Sequence, residues 1–205
     1  GVGAFSLAAN TSGADNVALG SRSGYFNTTG TRNTNIGTNS GYGVTATAVN
    51  DLTAVGYQSA KFATGTNNTA VGSNSLLGVS GSTTGINNTA VGYNSLKAIT
   101  TGNFNLAVGA NAMSNSTSGS GSVAIGYSAL ASATTQGSQV AIGYSALLKS
   151  VGTDNIAIGY GSQSGDPLAG LPASTAGSSN TSVGTGTLYY NDTGDYNTAL
   201  GAGTM

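Results

Sequence analysis

The chain reads as all-β: a β-solenoid, or parallel β-roll, of about twelve coils with a period near 17 residues, arranged as an intertwined or side-by-side homotrimer. Three observations predict it. First, the phrase Asn-Thr-Ala-Val-Gly stands at 68–72 and again at 88–92, and close variants end at Gly3, Gly20, Gly37, Gly56, Gly109, Gly126, Gly143, Gly159, Gly184 and Gly201. Second, the residue before each closing glycine is aliphatic while the one before that is small. Third, the 34 glycines follow no third-residue period, which excludes collagen, and charged residues make up only 5% of the chain. Disordered chains combine high charge with few β-branched residues; here Val, Ile and Thr return in register.

Counting positions from the closing glycine as zero, position −1 is Leu19, Ile36, Val55, Val71, Val91, Val108, Ile125, Ile142, Ile158, Val183 or Leu200. Position −2 is Ala or Ser in every copy after the first except at Asn35, and position −3 is always Val, Thr, Leu or Ile. Side chains alternate across a strand, so one face carries branched residues and the other Ala and Gly. Both faces are restricted in size, as in a strand buried on both sides. This reading places the branched face inside the coil. It places the Ala/Gly face against other chains around a central axis, which is the argument for a trimer.

The glycine marks a bend. A second apolar column follows at position +4, with Leu7, Leu76, Leu96, Met113, Leu130, Leu147, Leu188 and Met205, broken by Gly24, Gly41, Ala60 and Gln163. A Ser/Ala position precedes it, and Thr/Ser/Gly turns such as Thr83-Thr84-Gly85 and Thr100-Thr101-Gly102 close the unit. One coil is therefore expected to run strand, bend, short second strand, turn. A helix is excluded, because apolar residues do not recur at helical spacing and strong helix formers are scarce. Twelve coils would form a rod roughly 55–60 Å long.

An asparagine column lies at position −4: Asn16, Asn33, Asn68, Asn88, Asn105, Asn155, Asn180 and Asn197, interrupted by Leu52, Ser122 and Gln139. Stacked amides can pair along the axis, so these residues are expected to form a structural ladder.

The units 88–96, Asn-Thr-Ala-Val-Gly-Tyr-Asn-Ser-Leu, and 122–130, Ser-Val-Ala-Ile-Gly-Tyr-Ser-Ala-Leu, resemble the head repeats of trimeric autotransporter adhesins. The resemblance covers nearly the whole chain and is greater still to the related repeats of bacteriophage tail-fibre proteins, which share the longer coil and the Thr-Thr-Gly turn. It implies a homotrimer in which each chain contributes one left-handed parallel β-roll, at an extracellular location on a virion tail fibre or a bacterial cell surface.

Chemistry is sparse. With no His, Cys or Glu, no catalytic residue, cofactor or metal ligand set is assigned, and no enzyme is expected. Asp192 and Asp195 could approach a hard cation, but two turn-capping residues explain them as well. Arg22, Arg32, Lys61, Lys97 and Lys149 are scattered singly, so nucleic acid has no electrostatic footprint here. No apolar run reaches the roughly 18 residues of a membrane span. The chain opens and closes within repeats, and the expectation is a fragment of a longer polypeptide, with residues 1–205 forming one repeat array.

Candidate receptor contacts fall in two places. Tyr57, Tyr93, Tyr127, Tyr144 and Tyr160 follow the bend directly and would either cover it or stack on glycan rings. Between Gly159 and Gly184 the spacing widens to 25 and includes both prolines, Pro167 and Pro172. An inserted loop at 163–179 is expected there, carrying Leu168 and Leu171. The expected function is a non-enzymatic fibre segment that mediates or positions attachment to a cell-surface glycan or protein receptor. The alternative is an ice-binding or glycan-binding solenoid.

Overall fold

The computed structural model describes residues 1–44, 48–135, 137–165 and 177–203. The chain is a parallel β-solenoid with no helix among these residues. Its strands are β1 (Val17–Leu19), β2 (Thr34–Ile36), β3 (Thr53–Val55), β4 (Thr69–Val71), β5 (Thr89–Val91), β6 (Leu106–Val108), β7 (Val123–Ile125), β8 (Val140–Ile142), β9 (Ile156–Ile158), β10 (Thr181–Val183) and β11 (Thr198–Leu200). Each occupies positions −3 to −1 of one repeat, and they form a single sheet in chain order, every pair parallel and in register. The count of twelve is corrected to eleven strands, because the first copy contributes only an isolated bridge from Val2 to Leu19.

The closing glycines sit where the backbone turns with strongly positive φ and where the next coil comes closest. At Gly72, with φ +130°, a Cβ would lie 2.6 Å from the carbonyl oxygen of Gly92. No side chain fits that approach. The close backbone neighbour that the small residues require is therefore the adjacent coil of the same chain.

The expected second strand is absent. In its place is a turn with left-handed residues at positions +2 and +4, such as Asn94 (φ 56°) and Leu96 (φ 48°), and a third lies at position −5, such as Asn87 (φ 57°). A β-branched side chain crowds the backbone in this region, whereas Asn, Ser and Leu enter it at lower cost. This explains why the second apolar column contains Leu and Met but never Val or Ile. The turns are laddered as firmly as the strands. Leu96 N–H donates to Ala112 O at 3.0 Å, Asn94 N–H to Ser73 O at 3.1 Å and Asn87 N–H to Thr66 O at 3.2 Å, beside Gly92 N–H to Val71 O at 2.8 Å.

The orientation of the strand is the reverse of the expectation. The Ala side chains at position −2 face the interior and are fully buried from Ala54 to Ala157, while the branched residues face outward. Val71, Ile125 and Ile158 are each 37% exposed. The physical reason is the width of the coil: the inward strand residue meets the position +4 side chain directly, and Ala opposite Leu fills the gap. Ala90, Ser95, Leu96, Ile99 and Asn88 make up one such layer, all buried. Ile99 belongs to a third inward column, continued by Ser116, Ala133 and Ser150, that has no constant residue type and is not legible as a repeat. Where glycine replaces Leu at Gly41, the larger Asn35 stands at position −2, and it also borders Gly24 of the preceding coil. Asn35 projects into the vacated space, and a Cβ on Gly41 would fall on its Oδ1.

Leu96→Ile tests the left-handed turn. This volume-conserving change forces a branched Cβ into φ 48° and should destabilise by roughly 2–3 kcal/mol, whereas buried Leu52→Ile should cost under about 1.5 kcal/mol. Equal losses on denaturant titration would show that the backbone conformation carries no penalty.

Candidate functional site

The asparagine column is a buried clamp. Asn88 Oδ1 accepts from Asn105 N–H and from Asn105 Nδ2, each at 3.1 Å, while Asn88 Nδ2 donates to Gly102 O at 2.9 Å. Asn180 Oδ1 binds Asn197 N–H and Nδ2 in the same way, at 2.8 and 3.0 Å. The same pattern links Asn16 to Asn33 and Asn155 to Asn180. Asn68 Oδ1 accepts from Asn88 N–H, and Asn68 Nδ2 donates to Gly65 O and Gly85 O. These amides thus join the start of the next strand to a turn, such as Thr101-Gly102 or Thr84-Gly85. At the interruptions the pattern degrades gradually: Leu52 N–H still donates to Asn33 Oδ1, and Ser122 Oγ accepts from Gln139 N–H. Asn68, Asn88, Asn155 and Asn180 have no exposed surface, so a ligand cannot reach them.

The tyrosines following the bend lie on the outside. Tyr57, Tyr93, Tyr127, Tyr144 and Tyr160 are between 48% and 62% exposed. On three consecutive coils they stack: Tyr127 on Tyr144 with centroids 5.1 Å apart and planes at 15°, and Tyr144 on Tyr160 at 5.0 Å and 9°. The rings cover one another's faces and leave edges and hydroxyls toward solvent. Tyr57 and Tyr93 have no such stacking partner among the described residues.

Beside this stack runs a groove of ≈ 390 Å³. One wall is Tyr127, Tyr144 and Tyr160; the floor is Ser128, Ser145 and Gly161, at position +2; the opposite wall is Leu148, Ser164 and Tyr189, at position +5. Positions +1, +2 and +5 of neighbouring coils therefore meet in one groove. The position +5 wall was not foreseen. Its signal in the sequence is that Tyr25, Tyr42 and Tyr189 all follow their glycine by five residues.

Tyr25 and Tyr42 form a second aromatic group at the other end. They stack at 5.4 Å and 18°, Phe26 meets both edge-on, and Lys61 Nζ lies 4.8 Å from the Phe62 ring centroid. Leu168 and Leu171 lie outside the described residues. The described flanks of the expected 163–179 loop keep coil register, with Gln163 N–H bonded to Thr187 O and Ser179 N–H to Thr153 O.

Charged groups are spent on turns. Arg32 and Asp51 occupy position −5 of successive coils and pair through two bonds of 2.7 and 2.9 Å. That hydrogen bond holds the Asp51 carboxyl below its usual range and raises Arg32, but both groups are solvated and the pair adds little stability. Asp195 Oδ1 accepts from Ser178 N–H at 2.7 Å, and Asn191 and Gly194 close a reciprocal turn. Among the described residues no three His, Cys, Asp or Glu side chains gather as a metal site.

No family model matches this chain, and no curated protein and no solved structure does either.

Asn88→Ala, which strands Asn105 N–H and Gly102 O in the interior, should cost roughly 2–4 kcal/mol. Asn88→Ser, imitating Ser122, should cost less because an acceptor remains. Equal losses in thermal melts of the two variants would contradict the clamp.

Proposed function

We propose that this chain is a non-enzymatic segment of a trimeric extracellular fibre, of the phage tail-fibre or bacterial adhesin type, that positions or forms an attachment surface. The observation that supports it most is the outward face of the sheet. From β6 to β9 positions −3 and −1 are Leu106 and Val108, Val123 and Ile125, Val140 and Ile142, Ile156 and Ile158, aligned in register. No polar side chain interrupts this stripe across four coils, and its residues are half-exposed or exposed in the single chain. A continuous apolar strip on a rigid rod is what a partner surface provides, and a parallel copy presents the same strip at the same spacing. Three copies joined along it would form a stiff fibre.

The resemblance of the repeats to adhesin heads and tail fibres supports the same reading. So does the mechanics, since every coil is bound to the next through both strand and turn. Repetition of weak contacts around a threefold axis would give attachment its strength through avidity.

A specific observation favours a second reading, ice binding. Thr34, Thr53, Thr69 and Thr89 stand in register on the outward face, a short threonine column that could order water. Leu106 and the branched residues beyond it end the column after four coils.

Light scattering on a sizing column should give the mass of three chains, and Ile125→Lys combined with Ile142→Lys should reduce it to one. A wild-type monomer showing thermal hysteresis would replace the fibre reading with the ice-binding one.

A further inference from the structure

We infer that the groove between the Tyr127–Tyr144–Tyr160 stack and the Leu148–Tyr189 wall binds an uncharged, extended oligosaccharide. The inference deepens the attachment reading above by naming the class of receptor, and it rests on that reading. Four features of the groove select this ligand.

The lining contains only Tyr, Ser, Leu and Gly, with no Lys, Arg or Asp among the nine residues. An acidic glycan, a phosphate or a basic peptide would find no counter-charge there, and a charged ligand entering would lose hydration without compensation. A neutral polyhydroxylated ligand loses least. The available groups are hydroxyls from the four tyrosines and from Ser128, Ser145 and Ser164, each able to donate and accept, set beside aromatic and aliphatic carbon. Pyranose rings present the same alternation of hydroxyl and C–H surface.

The spacing is periodic. Successive tyrosine rings are 5.1 and 5.0 Å apart and nearly parallel, so one ring with its hydroxyl repeats in each coil. An extended pyranose chain advances by a similar step per residue, whereas a folded peptide does not repeat its polar groups this way. The volume of ≈ 390 Å³ falls within the roughly 300–1,000 Å³ of small-molecule sites.

The floor is lowered at one end. Along the groove, position +2 is Ser at Ser128 and Ser145 but Gly at Gly161, where the left-handed backbone also admits Asn, as it does at Asn74, Asn94 and Asn111. A Cβ on Gly161 would have its nearest neighbours at 3.7 Å, ordinary contact, so packing does not demand glycine. Its absent side chain leaves room between Tyr160 and Tyr189.

Because the chain lacks Trp, its emission comes from its ten tyrosines, four of which line this groove. Titrating it with maltohexaose, cellohexaose, chitohexaose and a heparin hexasaccharide should show binding to at least one of the three neutral sugars and none to heparin. Tyr144→Ala should weaken that binding about tenfold or more. Gly161→Asn, which keeps the fold by using a residue common at this position, should do the same by filling the floor. Tyr93→Ala, in the same column but away from the groove, should leave affinity unchanged. Binding to heparin alone, binding to no neutral sugar, or equal loss in Tyr93→Ala overturns the inference. A trimer that binds none of the neutral sugars defeats the groove and leaves the fibre reading standing, while a monomer that binds one through Tyr144 does the opposite.

Discussion

Everything in this structure depends on one close approach, the backbone of each closing glycine resting on the backbone of the next. Parallel pairing at this distance leaves no room for a Cβ at Gly72 or its counterparts. The constraint sets the register of the sheet, because a coil displaced by one residue would bring a branched side chain to the contact. It also explains how insertions are tolerated. Between Gly72 and Gly92 the chain is longer than between Gly56 and Gly72, yet Thr69 pairs with Thr89 as Thr53 pairs with Thr69. Extra residues leave by the turns, and the contact is preserved.

The interior that this approach permits is thin. An Ala, a Leu or Met, a Ser and an Asn fill most layers, so burial per coil is modest and hydrogen bonding takes an unusual share of the work. Ser59 Oγ reaches Ala70 O in the next coil at 2.8 Å, and the Asn column adds its own cross-coil bonds. Such groups are directional, and each is satisfied only when the neighbouring coil is in place. Stability then resides in the interfaces between coils rather than in any one of them, as in other linear repeat proteins. Departures from the pattern mark where the layer is strained. Gln163 takes the Leu position with neither amide atom paired among the described residues, at the border of the longest insertion.

Because the interior is committed to holding the coils together, variation is confined to the outside, where three surfaces differ. The strand face is apolar over β6 to β9 and threonine-lined over β2 to β5. The turn face bears the tyrosine stack and its groove. The turns that precede the strands hold the Arg32–Asp51 pair, while Lys61 and Lys97 stand at position +5 of other coils. A rod built this way can carry different contacts on different sides without altering its core, which suits a molecule whose proposed role is to present a surface.

The sequence alone determined the solenoid, its period, the position of each strand that forms and the alignment of asparagines into a column. These follow from the recurrence of residues at fixed offsets, and in-register stacking turns each offset into a physical column. Which face of the strand points inward was decided only by the tertiary structure. Alternation shows that Ala and Val lie on opposite sides, but assigning the sides depends on the width of the coil. That width is set by left-handed turns whose residues, Asn94 or Leu96, carry no unique signature in sequence. The second strand was misread for the same reason: a column of Leu looks the same on a strand as on a turn, and only its φ angles separate them. The groove was half legible. Tyr127, Tyr144 and Tyr160 announced one wall, but the other is formed by Leu148, Ser164 and Tyr189, which share an offset and no residue type. Only the stacking of coils in space brings the two walls together.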